Sequence, residues 1–215
     1  MNERMNQKIL IVAATYDELA LTFAHFGWTK TRLLEQPDFD VLITGVGIAA
    51  TAFAMGQQIK GDYSLILNVG IAGSFDRNLM LGSLVNITSD TFSELGAEDG
   101  DRFIPIDELG FGQSSYTSNF ISERKIVADL TSVNGITVNT VHGNEHSIQK
   151  TVGRLAVTTE SMEGAAVFYA AQQLNTPALQ VRSISNYVET RNRDNWQIGL
   201  ALTNLNEWLI NYLTK

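Results

Sequence analysis

The first strong pattern in the sequence is a continuous apolar run after Lys8, which reads ILIVAA over residues 9–14. A run of this kind is typical of a strand buried on both faces, as in parallel sheets that helices cover on both sides. The run ends at residues 15–18, where a helix is predicted to begin because apolar residues then recur at roughly helical spacing. This opening therefore predicts a strand followed by a helix, which is the repeating unit of an α/β fold.

The same alternation continues through the first half of the chain. Strands are predicted at residues 39–44, 65–69 and 84–88, a helix at 48–59, and glycine-rich turns at 45–47 and 70–75. Residues 89–117 break the pattern with several glycines and acidic residues. This stretch predicts a long loop that is functional or mobile.

The second half is less regular. We predict a helix near residues 122–130, strands at 136–140, 155–157 and 177–183, a helix of small residues beginning at Gly164, and a C-terminal amphipathic helix with Ile198, Leu202, Leu205, Leu209 and Tyr212 on one face. Together the elements predict an α/β fold with a single domain over residues 1–215, in which helices flank a mixed, mostly parallel central sheet.

Composition narrows the classes of function. The 215 residues include no cysteine, which excludes disulfides, thiolate nucleophiles and cysteine-based metal sites. The net charge is -8 without a Lys/Arg cluster, which disfavours nucleic acid and favours a small-molecule ligand. The chain begins with a strand pattern rather than a signal peptide, and its apolar runs are too short to cross a bilayer. We therefore expect a cytoplasmic protein without a membrane partner.

Three common kinds of site are disfavoured. The glycines at 45–47 and 70–73 suggest a nucleotide-binding turn, but Ala50 occupies the third glycine position of the dinucleotide fingerprint, so a tight turn is the simpler interpretation. His142 and His146 have i,i+4 spacing without an acid that completes a zinc site. Ser74 is not in a nucleophile elbow.

Polar residues do recur where predicted strands end. They are Glu18, the segment 70–74, Glu163, Arg182 and Asn186. Because open parallel sheets bind ligands at the carboxyl ends of their strands, these residues are predicted to converge on one crevice. Three of them have a structural alternative: Glu163 as a helix cap, Arg182 in a salt bridge at the rim, and Asn186 as a turn former.

Several of these motifs carry a resemblance to a known family. Ser161-Met162-Glu163, the segment from Arg182 to Asn186, the turn 45–47 and the turn 13–18 resemble the nucleoside phosphorylase and nucleosidase superfamily, from about Lys8 to the C-terminal helix. The chain is most similar to the methylthioadenosine/S-adenosylhomocysteine nucleosidases. Residues 94–100 and 186–189, with Arg191 and Trp196, further resemble the futalosine hydrolases, which remove hypoxanthine from futalosine in menaquinone biosynthesis.

The resemblance implies roles for individual residues. Glu18 would be the carboxylate that activates water, and Arg182 would orient it. Asn186 would stabilise the departing purine. The predicted substrate-binding residues are Ser161, Met162 and Glu163 around the ribose, Gly70 and Ile71 near the water, and His142, Gly143 and Asn144 near the base. The family also implies a homo-oligomer (a dimer or larger) and neither a metal nor an organic cofactor.

Two positions depart from the adenosine-specific nucleosidases. Ile71 stands where those enzymes have Ser, and Asn186 where they have Asp. A carboxylic acid suits the 6-amino group and N7 of adenine, whereas an amide can donate to N7 or O6 of hypoxanthine. Asn186 therefore predicts a 6-oxopurine nucleoside, with a methylthioadenosine nucleosidase as the alternative.

Two other functions belong to the same fold. A purine nucleoside phosphorylase is disfavoured because the first turn, 15–18, offers acids where a phosphate needs cations. A non-catalytic nucleoside-binding protein would need neither Glu18 nor Arg182. The benzoate-bearing tail of futalosine requires a cation or a hydroxyl, and the candidates are Arg191, Arg193, Arg102 and His146, with residues 89–117 as a cover for the tail.

Overall fold

In a computed structural model, which describes residues 8–58 and 63–214, the buried first strand lies inside the sheet with a strand on each side. In chain order the elements are β1 (Lys8–Ala13), a 3-10 turn (Asp17–Leu19), α1 (Ala20–Phe26), β2 (Leu33–Glu35), β3 (Phe39–Ile43), α2 (Ile48–Gln58), β4 (Tyr63–Ser74), β5 (Leu84–Phe92), β6 (Gly96–Asp99), β7 (Arg102–Pro105), α3 (Ile106–Leu109), β8 (Ser115–Thr117), α4 (Lys125–Ala128), β9 (Thr131–Thr137), α5 (Glu145–Arg154), β10 (Thr159–Ser161), α6 (Gly164–Gln173), β11 (Ala178–Tyr187), a second 3-10 turn (Arg193–Asn195) and α7 (Ile198–Thr214).

The large sheet is mixed. Its order is β10-β9-β5-β11-β4-β1-β3-β2, and β8 pairs with β5. β1 is parallel to both β3 and β4, and β4 is parallel to β11. β10 is parallel to β9 and also antiparallel to β4, so β4, β11, β5, β9 and β10 close into a ring. The predicted α/β class is confirmed, and the ring brings the ends of β4, β10 and β11 together.

Two apolar layers cover the two faces of the sheet around β1. Ile11 and Val69 pack with Leu205 and Leu209 of α7, while Leu10 and Ile66 face the layer that contains Val167 of α6. Full burial of such a side chain contributes about 1.5–3 kcal/mol relative to exposure. The alternation of buried side chains on both faces explains why the first strand is a continuous apolar run. The described helices include none that is long and apolar enough to span a membrane.

Several strands are longer than predicted. The segment 70–74 is the second half of β4 and not a turn, β5 continues to Phe92, and β11 continues to Tyr187. These extensions consist mainly of small or polar residues with single apolar residues between them, so they lack the apolar pattern by which strands are recognised in a sequence. Their ladder hydrogen bonds are supplied by neighbouring strands that are distant in the chain.

The predicted long loop at 89–117 is wrong. The segment contains the hairpin β6–β7, the short helix α3 and the strand β8. The hairpin pairs only with itself and is largely exposed, so its sequence carries little alternation. At its open end Gly96 pairs with Pro105, and a side chain at Gly96 would overlap the carbonyl oxygen of Ile104.

The elements around residue 155 were also misassigned. The apolar run 155–157 is not a strand, because Leu155 is the C-cap of α5 and the strand β10 is the polar segment that follows. α5 itself was missed, although Asn144 accepts the backbone N–H groups of His146 and Ser147 as an N-cap.

Other predicted boundaries need smaller corrections. The helix near 122–130 is only α4, and the strand predicted at 136–140 is β9, which ends at Thr137. The short β2 was not predicted. Ile59, the predicted end of α2, lies outside the described residues, as do the first seven residues.

Candidate active site

A cavity of about 360 Å³ opens where β1, β4, β10 and β11 end. The predicted site residues on its wall are Glu18, Ile71, His142, Ser161, Met162, Glu163 and Asn186. They come from five separate segments of the chain. Of the residues predicted to converge on one crevice, Glu18, Ile71 of the segment 70–74, Glu163 and Asn186 line this cavity, whereas Arg182 does not. The side chains on the wall include two carboxylates, an amide and an imidazole. This chemistry can bind hydroxyl groups and a heterocycle and can accept a proton.

Glu18 is held at the end of β1 by backbone N–H groups. Its Oε2 accepts from Ala14 (3.1 Å) and Thr15 (3.0 Å), and its Oε1 accepts from Ile71 (3.3 Å). Burial raises the pKa of Glu18, the charge of Arg182 opposes this shift, and the charge of Glu163 adds to it. A carboxylate with a raised pKa is a stronger base than an exposed one, which suits the activation of water.

Arg182 is buried beneath the cavity floor and is only 1% exposed, so it is not a salt bridge at the rim. Its Nη2 donates to Asn68 Oδ1 (2.6 Å) and Gln180 Oε1 (3.1 Å). It approaches Glu18 across Gly70, where an added Cβ would overlap Arg182 Nη1 and lie 2.7 Å from Glu18 Oε1. Arg182 therefore acts on Glu18 through its charge, and Gly70 allows the close approach.

Glu163 stands at the N-cap position of α6 but does not cap the helix with its side chain. Its Oε1 accepts the backbone N–H of Gly47 (3.0 Å) instead, and Ser161 Oγ accepts from Gly164 (3.4 Å). Gly47 has a φ of 96°, a conformation that favours glycine, so the predicted tight turn presents its N–H to the site. The carboxylate of Glu163 keeps lone pairs for a ligand at the cavity wall.

Asn186 belongs to β11 and is not a turn former. A register shift between Ile184 and Asn186 marks a bulge, a feature that often re-aims a side chain next to a site. Its Oδ1 accepts from Ser185 Oγ (2.8 Å) and its Nδ2 donates to the carbonyl of Tyr187 (3.1 Å). The second Nδ2 hydrogen is left for a ligand.

Comparison with known proteins places the chain in a family. Residues 40–212 match the model of the Phosphorylase superfamily. The chain belongs to this superfamily. It is 32% identical over 215 aligned residues to a futalosine hydrolase of Streptomyces coelicolor, covering 91% of this chain and 89% of that protein.

Two solved structures share the fold. A futalosine hydrolase of Helicobacter pylori has a TM-score of 0.80 at 16% identity, with 98% of this chain and 99% of that chain covered. A 5′-methylthioadenosine/S-adenosylhomocysteine nucleosidase of Helicobacter pylori has a TM-score of 0.78 at 16% identity, with 96% and 97% covered. At these identities the two matches show the fold alone.

Besides Arg182, three of the predicted catalytic and substrate-binding residues do not line the cavity of this superfamily member. Gly70 lies below its floor, between Glu18 and Arg182. Gly143 accepts the backbone N–H of Arg191 (3.1 Å), and Asn144 caps α5. The last two lie behind the wall, in the loop that leads into α5. Their position was not foreseen because that helix was not predicted from the sequence.

Several wall residues, among them Glu160, had no predicted role in binding the nucleoside core. Glu160 is 4% exposed and accepts from the backbone N–H of His142 at Oε1 (3.0 Å), while its Oε2 lies 2.6 Å from His142 Nδ1. That hydrogen bond raises the pKa of His142. Val46, Arg191 and Trp196 complete the rim. The sequence signal that could have indicated Glu160 is its position directly before Ser161-Met162-Glu163.

Proposed function

We propose that this superfamily member is a futalosine hydrolase, which cleaves the N-glycosidic bond of futalosine with water and releases hypoxanthine and dehypoxanthine futalosine. The observation that carries the proposal is the pairing of Glu18 with Asn186 in one cavity of a chain whose Streptomyces coelicolor relative is a futalosine hydrolase. A carboxylate base and a neutral amide are the groups that hydrolysis of a 6-oxopurine nucleoside needs.

Each wall residue has a defined task in this reaction. Cleavage leaves positive charge on the ribose and negative charge on the purine, as in the oxocarbenium-like states of glycosidases. Glu163 would hold the ribose hydroxyls and stabilise the cationic sugar through its charge. Glu18 would take a proton from the water that attacks C1′, which contributes roughly 10²–10⁴ in rate. The proposal requires neither a metal nor an organic cofactor.

Asn186 supports a 6-oxopurine rather than adenine as the leaving group. Its free Nδ2 hydrogen can be donated to O6 of hypoxanthine, whereas at the same point the 6-amino group of adenine would meet a donor. A buried group left without a partner costs about 1–3 kcal/mol. This argues against the methylthioadenosine nucleosidase alternative, which the shared fold does not distinguish.

Water is favoured over phosphate as the nucleophile. The backbone N–H groups of Ala14 and Thr15, which could otherwise cradle an anion, already donate to Glu18. An incoming phosphate would meet the charges of Glu18 and Glu163 at the same wall. These contacts favour hydrolysis over phosphorolysis.

The wider setting is also part of the proposal. A role in menaquinone biosynthesis and a cytoplasmic location rest on the resemblance to futalosine hydrolases. A homo-oligomer is supported by two exposed apolar side chains, Val46 on the cavity wall and Phe53 on α2. A second copy of the chain would cover them.

The direct test is the release of hypoxanthine from futalosine in phosphate-free buffer. We expect turnover by the wild type and a loss of at least about 10² in kcat for Glu18→Gln, with the affinity for futalosine retained. Asp17→Asn, an exposed neighbour in the same 3-10 turn, is the matched control and should keep full activity.

Other outcomes would identify the alternatives. Release that requires added phosphate would make the protein a phosphorylase. Cleavage of 5′-methylthioadenosine in preference to futalosine would assign it to the adenosine-specific nucleosidases. Tight nucleoside binding without cleavage would make it a binding protein.

A further inference from the structure

The cavity contains a third carboxylate, Glu160, that the proposed mechanism does not use. It lies on β10 directly opposite Gly73 of β4, and Asn186 lies opposite the same Gly73 from β11. A Cβ built on Gly73 would be 3.1 Å from Asn186 Nδ2 and 3.6 Å from Glu160 Cγ. The amide and the carboxylate therefore flank one point of the cavity wall, over a glycine that leaves room between them.

This point is separated from the position of the attacking water. Glu18 accepts the N–H of Ile71, two residues before Gly73 on the same strand. A strand advances about 3.3 Å per residue, so the two ends of the site are about 7 Å apart along β4. A nucleoside with its C1′ near Glu18 would present the far edge of its base to Asn186 and Glu160.

His142 holds the Glu160 carboxylate in position and leaves it able to accept further hydrogen bonds. The backbone N–H and the Nδ1 of His142 use one site on each oxygen, while its Nε2 lies 2.9 Å from Thr151 Oγ1. An ionised carboxylate has about four lone-pair sites, so about two remain. Because Glu160 is almost completely buried, an unpaired lone pair facing a bound base would be costly.

We infer that Glu160 determines the specificity for the base by accepting the N1–H of a 6-oxopurine, next to the O6 that Asn186 contacts. This inference rests on the proposed function for the class of substrate. A 6-oxopurine presents an acceptor at O6 and a donor at N1–H, which matches an amide N–H beside a carboxylate. Adenine presents the reverse, a 6-amino donor and an N1 acceptor, so both contacts would be repulsive.

Two nucleosides that differ only in this edge provide the test: futalosine and its 6-amino counterpart, with the same ribose and tail. We expect the wild type to favour futalosine in kcat/KM, and Glu160→Gln to reduce this preference at least tenfold, because the glutamine amide can donate to N1 of adenine. Glu145→Gln, an exposed carboxylate on α5, is the matched control and should leave the ratio unchanged. A structural role for Glu160 would lower both activities equally and would overturn the inference.

Equilibrium binding of free bases separates this inference from the proposed function. By calorimetry, the wild type should bind hypoxanthine at least tenfold more tightly than adenine or 1-methylhypoxanthine, which lacks the N1–H. Equal affinities would refute the role of Glu160 even if futalosine is hydrolysed. Preference for hypoxanthine without cleavage of futalosine would refute the proposed function alone. These wild-type affinities decide the role of Glu160 even if the glutamine variant does not fold, because 1-methylhypoxanthine differs from hypoxanthine only at N1.

Discussion

At the scale of single residues, the site depends on a buried cation that supports a base without touching it. Arg182 is bound to the side-chain oxygens of Asn68 and Gln180, and its charge reaches Glu18 across Gly70. Burial raises the pKa of Glu18, and Arg182 limits that rise. The ionised fraction of Glu18 at a given pH is therefore set by two opposing effects.

Removing the cation should move the pH profile in one direction. In Arg182→Met the pKa of Glu18 rises further, so the base ionises only at higher pH and the acid limb of kcat/KM for futalosine shifts upward. The measurement is the shape of that profile, which does not depend on how much of the variant is folded. Arg32→Met, an exposed arginine, should leave the profile in place. An unshifted acid limb for Arg182→Met would show that the charge of Arg182 does not reach the base.

Arg191 is the candidate cation for the tail of futalosine that lies on the cavity wall. Its guanidinium is 4.9 Å from the centre of the Trp196 ring, and both residues line the rim. Arg102 instead pairs with Glu108 on the hairpin side, outside the cavity wall. A charge-assisted hydrogen bond to the tail carboxylate is worth about 1.5–3 kcal/mol.

The corresponding variant should affect binding and not chemistry. For Arg191→Gln we expect KM for futalosine to rise about tenfold with little change in kcat, in line with a loss of uniform binding. Inosine, which lacks the tail, should be unaffected. Arg193→Gln is the matched control beside the same tryptophan. A larger effect at Arg193 than at Arg191 would reverse the assignment.

At the scale of elements, α6 can carry Glu163 into the site only because its first residue is glycine. A Cβ on Gly164 would overlap the carboxylate of Asp90 and the amide of Gln180, both buried below the helix. Gly153, in the last part of α5, has open space at the same position. Close packing therefore requires a glycine at position 164 but not at position 153.

Alanine at these two positions should change stability in opposite directions. Gly164→Ala forces α6 away from the sheet and should lower the free energy of unfolding by about 1–3 kcal/mol. Gly153→Ala improves helix propensity and should raise it by up to about 1 kcal/mol. Urea denaturation measures both. A neutral Gly164→Ala would mean that α6 is not seated tightly on Asp90.

Elements with a strong apolar pattern were predictable from the sequence, whereas those defined by long-range pairing were not. β1 is a continuous apolar run and α7 has apolar residues at helical spacing, so both were identified nearly to their ends. β10 is a polar strand of three residues that exists because β4 and β9 supply its partners. The place of Glu160 on the cavity wall was missed for this reason, since it follows from the closure of the ring. Asn186 was proposed as a site residue from its chemistry, but the bulge between Ile184 and Asn186 was not predicted.

At the scale of the whole molecule, an apolar surface borders the site. Phe53 on α2 is 63% exposed and Val46 on the cavity wall is 55% exposed, while α2 packs on α6, where Tyr169 is also partly exposed. We expect this surface to bind a second copy, so light scattering should give about twice the chain mass of 23.7 kDa. Phe53→Glu should yield monomers, and Phe111→Glu, at an exposed residue on another segment, should not. A wild-type monomer would contradict the expectation.

The stability of the whole fold should depend on pH through Asp90. It accepts from Thr137 Oγ1 (2.8 Å) and Gln180 Nε2 (2.8 Å), and burial raises its pKa to about 6 despite these bonds and the charge of Arg182. Because the folded protein then holds a proton that the unfolded chain has lost, the contribution of Asp90 to stability is largest at low pH. It falls by about 3 kcal/mol as the pH rises from about 4 to about 6.

Asp90→Asn removes this titration, so comparison with the wild type isolates it from all other carboxylates. The wild type should lose about 3 kcal/mol relative to Asp90→Asn between about pH 4 and pH 6, measured by urea denaturation at several pH values. Asp38→Asn, at an exposed aspartate, should show a difference from the wild type that does not vary in this way. A constant difference for Asp90→Asn would mean that Asp90 keeps an ordinary pKa in the folded protein. The ring of strands would then stabilise a buried negative charge over the whole pH range, with Arg182 as its main counter-charge.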